Sequence, residues 1–310
     1  MMDRKHSPIE ISVIIPTFRR PAALMQCLDA LALQTMQCFS SFEVIVVDDG
    51  SPEPVELDPH RWDNHFILSV ICQKNAGPAA ARNRGAEAAS GMLLAFTDDD
   101  CLPGPGWLDA LVSALQETPE ALVGTATWNG IPENLFSAAS QLIIDIVYDH
   151  NNQHPDDAHF LASNNFACAR RYFLEMRGFD ESFPRPGAED RDYCDRWRIS
   201  GRKIRFLPHP YVEHRHFQTL EKYLDLHFRY GRGAYLYQIK GNERGVFLPM
   251  HPGFYENLVP TALAHLAQLE DPQRQAGLAL ALILWQLANT VGYFTEVFSR
   301  LVSRHNPQSG

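Results

Sequence analysis

Apolar runs alternate with helical patterns along the first third of the chain. Four of these runs are strand-like, namely Ile11–Pro16, Val44–Val47, Phe66–Ile71 and Met92–Phe96. Two helices are predicted between them, one from Pro21 to Gln34 with leucines at helical spacing, and one alanine-rich over Ala79–Ala89. Strands that are apolar throughout and alternate with helices are typical of a parallel sheet covered on both faces. We therefore predict an α/β fold.

The pattern becomes less regular in the second half. Helices are predicted at Trp107–Glu117, Phe136–Tyr148 and Ala188–Gly201, and short strands at Ala121–Ala126, Arg205–Pro208 and Tyr211–His214. A polar loop is predicted at His150–His159 and a turn-rich segment at Phe183–Gly187. Helices dominate from Leu220 onward, with a break near Gly241–Gly253. This pattern predicts a helical extension behind the α/β region.

Charge and cysteine content exclude several classes of protein. The chain has 310 residues and a formal net charge of −10, without a long basic run, which argues against binding to a nucleic-acid backbone. Its six cysteines are scattered without a C-x-x-C pair, so a zinc cluster or a disulfide framework is not predicted and a reducing compartment fits best. The first residues lack the apolar core of a signal peptide. We therefore expect a cytoplasmic protein.

Asp98-Asp99-Asp100 directly follows the fourth apolar run. Three adjacent carboxylates repel one another. Mg²⁺ or Mn²⁺ would offset this repulsion, because these ions bind carboxylate and phosphate oxygens. The alternative is a solvated acidic turn before the next helix.

Other polar residues also fall where predicted strands end, which is where ligands of parallel α/β sheets bind. They are Thr17, Asp49, Asn75 and Asp98. Asp48-Asp49-Gly50-Ser51 is either a tight turn or the source of a carboxylate that accepts the imide N–H of a nucleobase. Lys74 and Arg82, near a helix start at Gly77, either meet phosphate oxygens or are surface cations. The P-loop and dinucleotide-binding fingerprints are absent from the sequence.

Acidic and histidine residues in the second half add further candidates. Glu189-Asp190 lies at a predicted helix start, where acidic residues complement the helix dipole. In a pocket, the same carboxylate would accept a proton from an attacking hydroxyl, and the helix N-terminus would keep it ionised. His214 and His216 follow a short strand. They are either structural or a third metal ligand.

In this order, the motifs resemble those of the family 2 glycosyltransferases of GT-A fold. The resemblance covers about Ile11 to His216 and rests on Val13–Phe18, Val46–Ser51, Gly77–Gly85, Asp98–Asp100, Asn165–Ala167, Gly178–Glu181 and Glu189-Asp190. It implies a Rossmann-like, mostly parallel central sheet flanked by helices. It also implies an inverting, metal-dependent transfer of a sugar from a nucleotide-sugar to an acceptor hydroxyl, with UDP favoured as the nucleotide.

The same resemblance implies roles for individual residues. The residues implied to bind the nucleotide-sugar are Pro16, Thr17, Phe18, Asp49, Asn75, Arg82, Asp98, Asp99 and Asn165. Among these, Asp49 is similar to the uracil-binding carboxylate, and Asn165 to a residue lining the sugar and acceptor pocket. Asp98 and Asp100 match the outer positions of the D-x-D metal motif, although some relatives use the middle position. His214, or its neighbour His216, is similar to the histidine that closes the metal site, Asp190 to the general base, and Glu189 to its acceptor-positioning partner.

The C-terminal third lies outside these motifs. We predict a glycosyltransferase domain at residues 1–216, with a nucleotide-sugar half at about 10–100 and an acceptor half at 101–216, and a helical extension at 217–310. Gln275–Thr295 carries no charged residue, which fits a buried or oligomer-forming helix, an interfacial membrane helix or a true span. The expected partners are a nucleotide-sugar and a glycan, lipid-linked or small-molecule acceptor. Contact with the inner face of the membrane, or a homo-oligomer, would run through these helices.

Two other classes of function also fit part of the sequence. A metal-dependent nucleotidyl- or phosphotransferase would use Asp98–Asp100 as well, but it leaves Asp190 and His214 without roles. A non-catalytic module that binds nucleotide-sugars or carbohydrates is the second alternative, and the carboxylates present at all three sites argue against it. The donor sugar, the acceptor and the linkage do not follow from the sequence.

Overall fold

The computed structural model describes residues 8–183, 187–245 and 252–305. Within these ranges the strands are β1 Ile11–Thr17, β2 Phe42–Asp48, β3 Ile67–Cys72, β4 Leu93–Thr97, β5 Cys101–Pro103, β6 Leu122–Asn129, β7 Asn165–Ala169 and β8 Ile204–His214. The helices are α1 Pro21–Leu31, α2 Pro78–Ala88, α3 Trp107–Glu117, α4 Leu135–Asn151, α5 Arg170–Glu175, α6 Glu189–Ile199, α7 Leu220–Glu243, α8 Pro252–Ala267 and α9 Pro272–His305.

All eight strands form one mixed sheet in the order β3-β2-β1-β4-β7-β6-β8-β5. The first four strands of the chain are parallel to one another, as the predicted strand–helix alternation requires. β7 inserts antiparallel between β4 and β6, and β5 is antiparallel to β8. The carboxyl ends of β1, β2 and β4 therefore lie at the same edge of the sheet, where Thr17, Asp48 and Thr97 end these strands.

Helices cover both faces of the parallel part of the sheet. Val13 and Ile15 of β1 are fully buried in a core that also contains Leu24 and Leu28 of α1. The residue between them, Ile14, faces α2, where a Cβ on Gly85 would lie 2.5 Å from the Ile14 side chain. The alternation along β1 thus gives each face its own helix layer, and the predicted α/β class is confirmed.

Most of the predicted elements are present, with bounds that shift by a few residues. The two short strands predicted around Pro208 are a single strand, β8, whose pairing with β6 is interrupted between Leu207 and Val212. Prolines 208 and 210 are tolerated there because no ladder hydrogen bond is required of them. The predicted loop at residues 150–159 contains the end of α4 and a short 3₁₀ turn at Pro155–Asp157. The strands β5 and β7 and the helix α5 were not predicted.

The chain divides into two compact units. The sheet unit comprises Met1–Gly130, Asn151–Glu181 and Asp190–Arg215, and the helical unit comprises Ile131–His150, Ser182–Glu189 and His216–Gly310. The domain boundary predicted at residues 216 and 217 stays a prediction. Residues 184–186 of the predicted turn-rich segment, and residues 246–251 of the predicted helix break, lie outside the described residues.

In the helical unit, α7 and α9 pack with their backbones in contact. A Cβ on Gly231 of α7 would lie 1.9 Å from the Asn289 carbonyl oxygen, and a Cβ on Gly292 of α9 would lie 1.9 Å from that of Phe228. The Tyr223 hydroxyl donates to the Ala281 carbonyl oxygen at 2.9 Å. Small residues at the crossing allow this approach, which a side chain would prevent.

The helix α9 includes a segment, Pro272–Val302, that is long and apolar enough to cross a membrane by length and composition, with a mean hydropathy of 1.4. This segment contains the uncharged stretch Gln275–Thr295 found in the sequence. One such helix is weak evidence for a span, because helices of soluble proteins pass the same test.

Candidate active site

The turn after β2 is held by its two aspartates in different ways. The Asp48 carboxylate accepts the backbone N–H groups of Ser51 at 2.9 Å and Val55 at 3.0 Å. The Asp49 carboxylate accepts the N–H groups of Ala76 at 2.8 Å and Gly77 at 2.7 Å, at the start of α2. Asp48 therefore forms the tight turn, while Asp49 joins that turn to the first turn of the helix.

Residues at the end of β1 connect this turn to the acidic run. The Asp49 N–H donates to the Thr17 carbonyl oxygen at 2.9 Å, and the Thr17 hydroxyl donates to Asp99 at 2.7 Å. Pro16 is buried in β1, and the partly exposed Phe18 ring lies 4.9 Å from the Arg19 guanidinium. The Asn75 amide donates to the Asp49 carbonyl oxygen at 2.9 Å. The predicted donor-binding residues of the first half, up to Asn75, thus form a connected group.

The carboxylates of the acidic run meet two arginines and a histidine. Asp98 accepts from the Arg82 guanidinium at 2.6 Å. Asp99, which is fully buried, pairs with Arg20 at 2.8 Å, and the same Arg20 guanidinium also pairs with Asp100. Asp100 additionally lies 3.3 Å from Nε2 of His214.

Burial and charge shift the pKa values in this cluster in opposite senses. Burial raises the pKa of the Asp99 carboxyl, and the positive charge of Arg20 opposes that rise. Burial acts to lower the pKa of His214, but the negative charge of Asp100 outweighs it, so the pKa of this imidazole is raised. Asp100 and His214 therefore attract one another most strongly when both are ionised.

Asp100, Cys101 and His214 bring their ligand atoms within 4.8 Å of one another. The Cys101 thiol is buried, and burial beside Asp100 raises its pKa well above the ordinary value, so it stays protonated. A neutral thiol is a poor ligand for Mg²⁺ or Mn²⁺, whereas a carboxylate and an imidazole fit Mn²⁺ well. The donor set of Asp100 and His214 thus fits the implied divalent cation.

Asp190 lies in the first turn of α6, next to Glu189. Its carboxylate accepts the N–H of Arg191 at 2.8 Å. Burial raises the pKa of Asp190, while backbone hydrogen bonds and the charges of Arg191 and Arg82 oppose the rise. The sequence predicted that the helix N-terminus would lower the pKa of this carboxyl and keep it ionised. Loss of hydration on burial has the larger effect, so the pKa is raised instead. Glu189 is buried and accepts the N–H of Gly187 at 2.9 Å.

Arg82 acts on carboxylates from two distant parts of the chain. It is almost fully buried and donates to Asp98 at 2.6 Å. Its positive charge also opposes the rise in the pKa of Asp190 that burial causes. Asp98 and Asp190 are far apart in the chain, yet the charge of Arg82 acts on both.

Asn165 lies in the core of the sheet unit. Its side-chain oxygen accepts from the Trp107 indole at 2.8 Å and the Thr125 hydroxyl at 2.9 Å, and its side-chain nitrogen donates to the Thr125 carbonyl at 2.8 Å. The side chain is fully buried. Its amide joins β6 to β7 and is already hydrogen-bonded within the core; the implied role of Asn165 in the sugar and acceptor pocket stays a prediction.

Arg20 and Cys101 lie at the site but were not predicted from the sequence. The structure also bears on the choice between His214 and His216. Arg20 follows Arg19 after β1, a signal that marks a cation near the strand end without naming its partner. Cys101 carries no recognisable spacing. Of the two histidines, His214 lies beside Asp100, whereas Nδ1 of His216 lies 3.1 Å from the Gln218 amide.

Solved structures of glycosyltransferases share this fold. The mannosyltransferase PcManGT from Pyrobaculum calidifontis, solved with GDP-Man and Mn²⁺, aligns over 99% of this chain and 90% of its own, with a TM-score of 0.60 and 17% identity. S. aureus TarS in complex with UDP aligns over 94% of this chain and 92% of its own, with a TM-score of 0.52 and 18% identity. The predicted GT-A fold is thereby confirmed.

A family model described as "Glycosyl transferase family 2" matches residues 12–179, more than half of the chain. The chain therefore belongs to glycosyl transferase family 2. It is similar to Glycosyltransferase AglE of Haloferax volcanii, 40% identical over 118 residues that cover 37% of this chain and 38% of that protein. Pre-mycofactocin glycosyltransferase of Mycobacterium tuberculosis is 28% identical over 231 residues, 73% of this chain and 47% of that protein. The chain spans less than half the length of these relatives.

Proposed function

We propose that this protein transfers a sugar from a nucleotide-sugar to an acceptor hydroxyl with inversion at the anomeric carbon. The proposal rests on one observation above all: the buried Arg82 donates to Asp98 at 2.6 Å, and its positive charge acts on the buried Asp190 carboxyl. A donor bound beside Asp98 would then have its sugar near the Asp190 carboxylate, which can accept the proton of the attacking hydroxyl. Membership of the family gives the class of reaction.

The nucleotide lies, in this proposal, along the carboxyl edge of β1, β2 and β4. Asp49 accepts the imide N–H of the base; two backbone N–H groups and Gln73 already orient its carboxylate. Pro16, Thr17, Phe18 and Asn75 surround the nucleoside. Asp98 accepts from the ribose, and Arg82 faces the phosphates. Asp99 does not contact the nucleotide in this proposal but positions Thr17 and Arg20, with which it forms a hydrogen bond and an ion pair.

Asp100 and His214 would hold Mn²⁺ or Mg²⁺, which when bound neutralises charge on the departing diphosphate. Two solved relatives by fold are complexes with Mn²⁺. Arg20 is the cation next to Asp100 in this structure, and its exposed side chain can swing away when the donor arrives. Asp98 remains a candidate ligand through its second oxygen.

Asp190 removes the acceptor proton. As the acceptor oxygen attacks the anomeric carbon, its proton passes to the Asp190 carboxylate, and the bond between that carbon and the phosphate oxygen breaks with its electron pair on the diphosphate. Attack from the face opposite the leaving group inverts the configuration. Glu189, fixed by its bond from Gly187, orients the acceptor.

A UDP-sugar is the favoured donor through the resemblance to the family, and the acceptor-only carboxylate of Asp49 is compatible with a base that carries an imide N–H. The acceptor is a glycan, a lipid-linked sugar or a small molecule. Among the similar proteins, one is named a glucosyl-dolichyl phosphate glucuronosyltransferase and another a hyaluronan synthase. A cytoplasmic location, with or without contact at the inner membrane face, is consistent with such acceptors.

A donor panel tests this function. The purified chain is incubated with UDP-, GDP- and dTDP-sugars, with Mn²⁺, Mg²⁺ or EDTA, and release of nucleoside diphosphate is measured. We expect slow, metal-dependent UDP release from one UDP-sugar, abolished by EDTA and restored by Mn²⁺. Release of pyrophosphate or phosphate would favour a nucleotidyl- or phosphotransferase, and binding without release would favour a non-catalytic module. Either outcome would overturn the proposal.

A further inference from the structure

A row of large apolar side chains runs along the exposed face of α9. Its members are Leu280, Ile283, Leu287, Val291, Phe294 and Phe298, each more than half exposed. We call this row the α9 stripe. Every fully exposed position of α9 from 276 to 302 is uncharged. Soluble proteins rarely leave so continuous an apolar surface uncovered, so the stripe calls for a partner.

The other face of α9 is already occupied by α7. Ala281 and Trp285 are buried in the core of the helical unit, and Gly292 meets the α7 backbone at Phe228. Glu296 pairs with Arg232 of α7 at 2.8 Å. The helix therefore has one face fixed within its own unit and one face, the stripe, without a described contact of comparable extent.

These contacts argue against a helix that crosses a membrane. α7 lies along α9 from Tyr223, bonded to Ala281, to Gln238, which accepts from Tyr293 at 2.6 Å. Were α9 to span a bilayer, α7 would enter the hydrocarbon with it and carry Asp225, Arg229 and Arg232 along. Burying such charges in lipid is costly.

The spacing of the stripe favours another helix over a lipid surface. Leu280, Leu287, Phe294 and Leu301 recur every seven residues, which is the repeat that keeps one helix facing another along a seam. Lipid contact requires no such repeat, and interfacial helices usually carry Lys and Arg beside the apolar face. Between Gln275 and Val302, α9 carries one cation, Arg300, which pairs with Glu296 as does Arg232 of α7. The chain as a whole carries a charge of −10.

The exposed area is also what a dimer needs. A half-exposed leucine, isoleucine or phenylalanine presents on the order of 100 Å² of surface, so the six members of the stripe present roughly 600 Å². Two copies would bury about 1,200 Å² in total, at the lower limit of specific interfaces. Leu301 and Val302, which are also exposed, would extend it.

We propose that the α9 stripe binds the α9 stripe of a second copy of this chain. The contact is two-fold symmetric, since the same surface is used by both copies, and it pairs the helices along their seven-residue repeat. This inference is independent of the proposed reaction and of the residues assigned to it.

Sedimentation of the full chain without lipid or detergent tests the proposal. We expect a concentration-dependent monomer–dimer equilibrium. Leu287→Glu combined with Phe294→Glu should raise the dimer dissociation constant at least about 100-fold, because two central contacts become repulsive pairs. Leu33→Glu is the control, because Leu33 lies in the turn after α1 and is at least as exposed as Leu287 and Phe294. It should leave the equilibrium unchanged. Circular dichroism checks that all variants fold.

Disulfide trapping, in a chain that keeps only its four buried cysteines besides the introduced one, gives an independent measurement. In a chain whose Cys38 and Cys72 are replaced by serine, Leu287→Cys or Val291→Cys should form a disulfide-linked dimer under mild oxidation, and Leu33→Cys should not. Sedimentation of the unmodified chain as a monomer at every concentration would overturn the proposal, whether or not oxidation produces some cross-linked dimer. So would a monomer that sediments with lipid vesicles in a manner abolished by the double substitution, because the stripe would then be a membrane surface.

Discussion

Three aspartates that are adjacent in the chain have three different surroundings. Asp98 meets Arg82, Asp99 is buried between Thr17 and Arg20, and Asp100 lies beside His214. The peptide geometry points neighbouring side chains in different directions, so each reaches a different element. The proposed assignment of the metal ligand therefore depends on the partner of each carboxylate, and His214 beside Asp100 favours Asp100.

Substitution of single aspartates tests this assignment. We expect Asp100→Asn to weaken Mn²⁺ binding at least about tenfold, the usual scale for a damaged metal site. Asp99→Asn should leave Mn²⁺ affinity within about threefold of wild type, because its carboxylate faces Thr17 and Arg20. Calorimetric titration with Mn²⁺, without any substrate, measures both. Loss of binding in Asp99→Asn alone would reverse the assignment.

Asp190→Asn tests the proposed base. We expect kcat to fall at least about 100-fold, the usual scale for a general base, with the donor KM little changed. Because burial raises the pKa of Asp190, the ionised carboxylate is held in the folded protein at a cost in stability. The amide should therefore leave the Tm equal or higher, which separates lost chemistry from lost folding. Asp156→Asn, at an exposed aspartate, is the control; an unchanged kcat in Asp190→Asn would remove Asp190 from the role.

The raised pKa of Asp190 also sets the pH dependence. A base acts only when ionised, so kcat/KM should fall as the pH drops through this pKa. An ordinary aspartate titrates near about 3.9, and the acid limb should lie above that value because burial raises the pKa. A pH profile of kcat/KM measures the limb. A limb at or below the ordinary value would show that Asp190 is better solvated than the structure indicates.

Residue patterns predicted which side chains belong to the site better than how each is used. The resemblance grouped Asp100 with His214, and the two lie close together because Asp100 precedes β5, whose first residue Cys101 pairs with His214. Arg20 could not be predicted, since its partner Asp100 is eighty positions away and no local pattern records that distance. The short motif around Asn165 likewise does not reveal that Trp107 and Thr125 use its amide.

At the scale of elements, the crossing of α7 and α9 depends on the absence of side chains. Gly231 and Gly292 each lie against a backbone carbonyl of the opposite helix. A methyl group at either position cannot be accommodated by rotating a neighbouring side chain, because the obstacle is backbone. The two helices must separate or shift instead.

We therefore expect Gly231→Ala and Gly292→Ala to lower the free energy of unfolding by at least about 1–3 kcal/mol, the usual range for overpacking. Gly106→Ala is the matched control, because a Cβ there meets nothing within 4 Å. Thermal and denaturant unfolding measure the difference. Equal stability of the three variants would mean that the helices are packed less closely than described.

Secondary structure was predictable where local pattern and burial agree. The four apolar runs became β1 to β4 because each is buried in a parallel sheet or paired at its edge. β5 is only three residues long and exists through its pairing with β8, a long-range contact that no window of sequence contains. The prolines of β8 concealed its continuity for the same reason.

At the scale of the whole molecule, the match to the family model covers a shorter stretch of the chain than the match to solved structures. The family model ends at residue 179, while the solved mannosyltransferase aligns over 99% of the chain. We expect the full chain to remain in the supernatant after ultracentrifugation without detergent, because α7 carries charges along the apolar α9. A chain that stays in the membrane fraction until detergent is added would contradict this.

The two compact units are interleaved along the chain, each built from three separate segments. Residues of α4 belong to the core with Tyr223 and Ala281, and the segment of the helical unit that ends at Glu189 stops one residue before Asp190. A single recombination point cannot exchange one unit without splitting the other. A recombination that exchanges the helical unit must therefore cut the chain between Glu189 and Asp190, directly beside the residue proposed to take the proton, so the two units are expected to be inherited together.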